Sequence, residues 1–115
     1  MPGWQELVRG KTVYTPNVRG DDEVAETFRW RVGDMLDTTY AHIVSFLAAP
    51  MMVKNELLGV MFISSTQEDR YSQHEIDLVT ATANQIAVAI QNVRLHGQSR
   101  AVAALEERQK LAREL

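Results

Sequence analysis

Ser45-Phe46-Leu47-Ala48-Ala49-Pro50-Met51-Met52-Val53 and Leu57-Leu58-Gly59-Val60-Met61-Phe62-Ile63-Ser64, parted only by Lys54-Asn55-Glu56, decide the fold of this chain. Two apolar runs of strand length with three polar residues between them read as antiparallel neighbours joined by a tight turn. Pro50 has no N–H to give a ladder, so it belongs at an edge or a bulge. Leu57 to Ile63 is almost unbroken in apolarity, which predicts burial on both faces and a packed layer on each side of the sheet.

Working back from the hairpin, Val24, Phe28, Val32 and Met35 recur at helical steps after the turn-forming Gly20-Asp21-Asp22, whose aspartates are candidate N-caps. Gly33 weakens that helix and predicts its end near Trp30 to Asp34. Lys11 to Val18 reads as a strand, kept short or at an edge by Pro16 and Asn17. Trp4, Leu7 and Val8 predict a short helix stopped by Gly10. Working forward, Ser72 and Glu75 have the spacing of a capping box, with Tyr71 and Ile76 flanking it as a hydrophobic staple. Ile76, Val79, Ala83, Ile86, Ile90 and Val93 then alternate steps of three and four, and no proline follows. An unbroken helix from Ser72 to Leu115 would measure roughly 66 Å, so its distal half must project from so small a domain. Beyond Gly97 the apolar stripe passes to Ala101, Leu105, Ala112 and Leu115, with Arg108 between, and the four-residue step from 97 to 101 resembles a stutter. Such a helix wants a partner helix, most simply its own copy.

Composition narrows the function. A chain of 115 residues, 45% hydrophobic and 23% charged, is one ordinary folded domain. Its formal charge of -3 gives no general attraction to nucleic acid or an anionic membrane. The absence of cysteine removes disulfides, thiolate zinc sites, cysteine nucleophiles and thioether-linked chromophores together. No apolar run approaches the ~20 residues that span a bilayer, and the first residues lack the pattern of a signal peptide. A soluble, cytoplasmic protein is expected. His42, His74 and His96 lie in three separate segments, and only His42 has a location where ligation is conceivable, so no metal is expected. Asp21, Asp22 and Glu23 read as a solvated turn. No nucleophile elbow or phosphate loop is present, and no cofactor is required.

Four landmarks in order carry a family resemblance. Gly10-Lys11-Thr12-Val13-Tyr14-Thr15-Pro16-Asn17-Val18, Ser45 to Met51, Leu58 to Ile63, and Ala87-Val88-Ala89-Ile90-Gln91-Asn92-Val93-Arg94-Leu95-His96 together resemble the closing half of a GAF domain. Met51 stands where that family has leucine, and His96 where it has tyrosine. The resemblance implies an α+β fold with a GAF-like antiparallel sheet packed by helices, N-terminally incomplete and ending in a long helix. It also implies a further strand beside Leu57 to Ser64. Leu105 to Leu115 resembles the helix leading to the phospho-acceptor histidine of one subfamily of bacterial sensor kinases, though the acceptor and the ATP-binding motifs are absent. The expected division is a partial GAF-like sensory domain over 1–98 and a signalling helix over 99–115.

The implied activity is regulatory, not enzymatic: a homodimeric sensory module coupled to downstream kinase domains. A small ligand would sit between sheet and helix, which implicates Phe28, Trp30, Arg31, Tyr40, His42, Val44 and Phe46. The alternative is that these residues merely close the core. The cyclic-nucleotide pattern of some relatives is missing. The dimer helix is expected to use Ile86, Ile90, Val93, Ala101, Leu105, Ala112 and Leu115. Other readings are a ligand-free dimerisation scaffold, or a GAF module regulating a transcription factor or a cyclic-dinucleotide enzyme.

Overall fold

Lys54 and Asn55 both take left-handed backbone, with φ of 50° and 68°, as the two central residues of a type I′ hairpin turn must. The turn is therefore two residues long, and Glu56, expected in it, opens the second strand instead. The computed structural model describes residues 2–114, the side chains of Pro2 and Ser99 excepted. Its elements are α1 (Pro2–Val8), β1 (Val13–Thr15), α2 (Glu23–Val32), a 3-10 turn (Gly33–Asp37), β2 (Ser45–Val53), β3 (Glu56–Ser65) and α3 (Gln73–Glu114).

The sheet runs β1-β2-β3, antiparallel throughout. β1 pairs Val13 to Thr15 with Ala48 to Phe46, and Ser45 lies opposite Ser65 at the far end of the hairpin. Pro50 thus occupies the central strand, but two residues beyond the last partner of β1 and next to the irregularity between Met51 and Met52. Its missing N–H is accommodated there, which satisfies the edge-or-bulge requirement without an edge strand.

Because strand side chains alternate between faces, β2 serves two layers. Phe46 and Ala48 meet α1, α2 and their flanking loops, packing with Val18, Ile43, Leu7, Val13 and Val24. Leu47 and Ala49 face the other way, against Ala83, Ile76 and Val79 of α3, with Tyr14, Met61 and Ile63 beside them. The expectation of full burial for Leu57 to Ile63 fails: Val60 is 37% and Phe62 47% exposed. β3 is the edge of the described sheet, and α1 and α2 do not reach far enough to cover its outer face. Continuous apolarity reports what a strand could bury, while burial depends on what stands beside it.

Local chemistry fixes the helix ends. Asp22 caps α2 by accepting from the Ala25 amide at 3.0 Å, and the Thr15 hydroxyl donates to Asp22 at 2.9 Å. Gly33, at φ 54°, ends the helix, so Met35 falls in the 3-10 turn and off the helical face. Arg29 then ties α2 to the preceding loop through the carbonyls of Val18 and Gly20, at 2.7 and 2.6 Å. At the start of α3, the Glu75 amide donates to the Ser72 hydroxyl and the Ser72 amide to the Glu75 carboxylate, both at 3.2 Å. This is the capping box expected from the sequence.

α3 is one helix of 42 residues that passes the 98/99 boundary without interruption. Ala83 and Ala87 have no exposed surface, so small side chains bring the helix backbone close to the sheet. From Asn92 to Glu114 every described side chain is exposed. The helix measures about 63 Å, and the molecule is 70 Å long by 31 and 23 Å across. The projecting distal half expected from the sequence is present.

Candidate functional site

A groove of about 300 Å³ opens between the sheet and the two short helices. Three phenylalanines from three elements form one wall. Phe46 of β2 lies 4.9 Å from Phe28 of α2 and 4.8 Å from Phe62 of β3, ring centre to ring centre, and Phe28 and Phe62 are near parallel at 6.4 Å. Such aromatic contacts add to the area they bury. Leu7 and Trp4 of α1, Val13 of β1, Val24 of α2, Ala48 of β2 and Val60 of β3 extend the apolar lining, with Thr27 and Arg31 as the polar members. An apolar cavity with few polar groups at the lower end of the ligand-pocket range suits a small, largely hydrophobic molecule.

Of the seven ligand residues expected from sequence, Phe28, Arg31 and Phe46 line this groove. Trp30 does not: it is 75% exposed, because two residues along a helix turn it about 200° away from Phe28. Tyr40 packs behind the groove, against Phe28 with ring centres 6.2 Å apart. His42 is exposed, and Val44 is half-buried with its backbone bonded to Val18 and Ser65. Val24, Thr27, Ala48, Val60 and Phe62 were missed, although the helical spacing about Phe28 and the strand alternation about Phe46 would have found them. Trp4 and Leu7 had no such signal, since nothing local says that α1 lies over the sheet.

A second set of contacts secures the back of the sheet. The Tyr14 hydroxyl donates to Asp69 at 2.6 Å, its ring meets Tyr71 edge-on at 6.2 Å, and the Asp69 amide donates to the Pro16 carbonyl at 2.9 Å. The Thr12 and Thr80 hydroxyls join β1's approach to α3. Burial, reinforced by the Asp69 hydrogen bond, pushes the Tyr14 phenol up to about 12. These bonds lock the loop before α3 to β1. His42, His74 and His96 are all exposed, and among the described residues no cluster of three or more His, Asp or Glu side chains could hold a metal ion.

The family model of the GAF domain matches residues 3–90. The chain belongs to the GAF domain family. No curated protein sequence matches it, but solved GAF structures share its fold. A domain of a two-component sensor histidine kinase protein from Sinorhizobium meliloti superposes with a TM-score of 0.59 at 16% identity, over 78% of this chain and 57% of that one. The GAF domain of a two-component sensor histidine kinase from Bacillus halodurans does so with 0.59 at 22% identity, over 82% and 58%. The blue-light absorbing form of the PixJ GAF domain from Thermosynechococcus elongatus gives 0.57 at 17% identity, over 93% and 62%. The chain therefore spans between half and two thirds of the length of these structures. Among the described residues, no helix is long and apolar enough to cross a membrane.

Proposed function

We propose that this GAF domain is the sensory module of a two-component sensor histidine kinase. In this reading it responds to a small molecule in the groove and passes the response through a pair of α3 helices to downstream kinase domains. Its own role is regulatory, with no catalysis in this segment. The observation that carries the reading is the alternation along β2. Phe46 and Ala48 line the groove, while Leu47 and Ala49, their immediate neighbours, pack on α3. A ligand that wedges between Phe28 and Phe46 presses on both α2 and β2, and in a close-packed interior β2 cannot move without moving what rests on it. Ala83 and Ala87 offer no compliant side chain to absorb the shift. The response then leaves along a single helix that continues for more than twenty residues beyond the sheet. The kinase assignment is supported by the resemblance of Leu105 to Leu115 to a kinase helix and by the fold shared with two sensor-kinase domains.

The test combines sedimentation equilibrium over a range of concentrations with a screen of small hydrophobic molecules by thermal shift. The proposal expects a reversible dimer, and a binder that raises the melting temperature of the native protein but not of Phe46→Trp, whose larger ring fills the groove. A dimer that no molecule stabilises would replace the sensor with a ligand-free dimerisation scaffold. A monomer at every concentration would remove the paired output helix.

A further inference from the structure

We propose that the groove takes a small aromatic carboxylate, whose ring rests on the phenylalanine wall while Arg31 holds its anionic group; the proposal rests on the ligand-sensing reading above and names the class of molecule sensed. Val24, Thr27, Phe28 and Arg31 follow one another along α2 at steps of three, one and three, which puts them on one face of the helix, and all four line the groove. Phe28 and Arg31 are separated by about 4.5 Å along the helix axis. A ligand that meets both carries its charge on a short arm beside its ring.

The polarity of the groove selects the sign of that charge. Among the described residues that line it, Arg31 is the one charged side chain, and no carboxylate joins it. Arg29, in the same last turn of α2, is directed elsewhere, to the carbonyls of Val18 and Gly20. Arg31 has an interaction of its own within the chain, but a guanidinium carries five N–H donors in a planar fork, so it can be anchored and still meet a carboxylate with two parallel bonds. Arg31 is exposed, which places the charged end of the ligand at the mouth of the groove, in water, and the ring inside.

Thr27 supplies a second polar group one turn before Arg31. Both threonines of α3, Thr80 and Thr82, turn their hydroxyls back to the carbonyl four residues earlier, at 2.8 Å in each case. The half-buried Thr27 hydroxyl has no hydrogen-bond partner among the described residues and is available to a carboxylate oxygen. A groove of about 300 Å³ lies at the small end for ligand sites. Its size suits one ring or a fused pair, and its single cation suits a single negative charge.

The test is a ligand-observed NMR titration of the chain with three probes of one shape: phenylacetate, its uncharged amide phenylacetamide, and the cation phenethylamine. Phenylacetate should bind about fivefold or more tighter than the amide, as a partly exposed ion pair allows, and the amine should bind more weakly than either. Added salt should narrow the gap. In Arg31→Gln the acid should fall to the affinity of the amide while the amide binds as before, which also shows that the variant's groove is intact; Thr27→Val should weaken the acid about threefold. An amide that binds the native chain as tightly as the acid overturns the anionic class and leaves the groove as a sensor of neutral hydrophobic molecules. An acid preference that survives Arg31→Gln overturns the role of Arg31. If neither these probes nor the neutral molecules of the thermal-shift screen bind, the ligand-sensing reading itself falls.

Discussion

Leu47→Ala tests the junction on which the coupling argument depends. Leu47 has no exposed surface and sits on the central strand beneath α3, beside Ala49 and Ala83. Removing three buried carbons forfeits about 2.4 kcal/mol of transfer free energy at ~0.8 kcal/mol per group, and the residual cavity raises the loss to about 3–4 kcal/mol. Ala49 and Ala83 cannot lean in to fill the space, while Met61, Ile63, Ile76 and Val79 beside them relax only in part, so a value within that range is expected. Against a total stability of about 5–15 kcal/mol the variant remains folded but much weakened, and at roughly 4–8 °C per kcal/mol its midpoint falls by at least about 12 °C. Urea unfolding followed through Trp4 and Trp30 fluorescence measures the change as a shifted midpoint at constant slope. Leu111→Ala is the control: this residue is 52% exposed on the projecting helix and should change stability by no more than about 0.5 kcal/mol. A loss below about 1 kcal/mol at Leu47 would refute the seating of α3 on β2, and the proposed route from groove to helix with it.

Ser72→Ala should cost about 1 kcal/mol by removing the cap of α3. Glu75 is held below the usual carboxylate range, first by the Ser72 amide and then by Arg70; its contribution is present above its unfolded pKa and lost as pH falls through the lower folded value. The stability difference between native protein and Glu75→Gln at neutral pH should therefore disappear in acid unfolding curves. Tyr14 has the opposite sense: its contribution is complete below 10.0 and is lost as pH rises towards about 12. Tyr14→Phe should accordingly flatten the alkaline fall in stability, and phenolate absorbance of the folded native protein should show one tyrosine ionising near the upper value. Two glycines separate backbone strain from helix propensity, since a Cβ would have open space at both Gly33 and Gly97. Gly33→Ala should lose about 1–3 kcal/mol at its positive φ, while Gly97→Ala inside α3 should gain up to about 1 kcal/mol, both read by urea unfolding.

What could be read before the structure was whatever is decided within a few residues. Ser72 and Glu75 specify a helix start because the donors they satisfy lie in the same turn, and Gly33 specifies a helix end because only its own φ matters. The Lys54-Asn55 turn was harder, since three polar residues separate the apolar runs and only the backbone shows that two of them form the turn. β3 misled for a different reason: its composition is that of a strand covered on both faces, yet Val60 and Phe62 lie uncovered at the edge of the described sheet. The groove was half legible. Of the residues named from sequence, Phe28, Arg31 and Phe46 line it, while helical phase turns Trp30 away to solvent. Leu115, expected at the dimer helix, lies outside the described residues.

The shortness of β1 has a kinetic consequence. β2 and β3 are joined by a two-residue turn and zip together with almost no loop to close, whereas β1 has only three pairs and is separated from β2 by residues 16–44. The long closure places its docking late in folding and makes its release a low-energy opening of the native state. In hydrogen exchange the amides of β1 should therefore turn over well before those of the hairpin. Val13 belongs to that early-opening segment while Phe46 and Phe62 belong to the slow one. The wall of the groove on the β1 side is thus expected to exchange its amides sooner than the Phe46 and Phe62 side, even with the Tyr14 to Asp69 bond holding it.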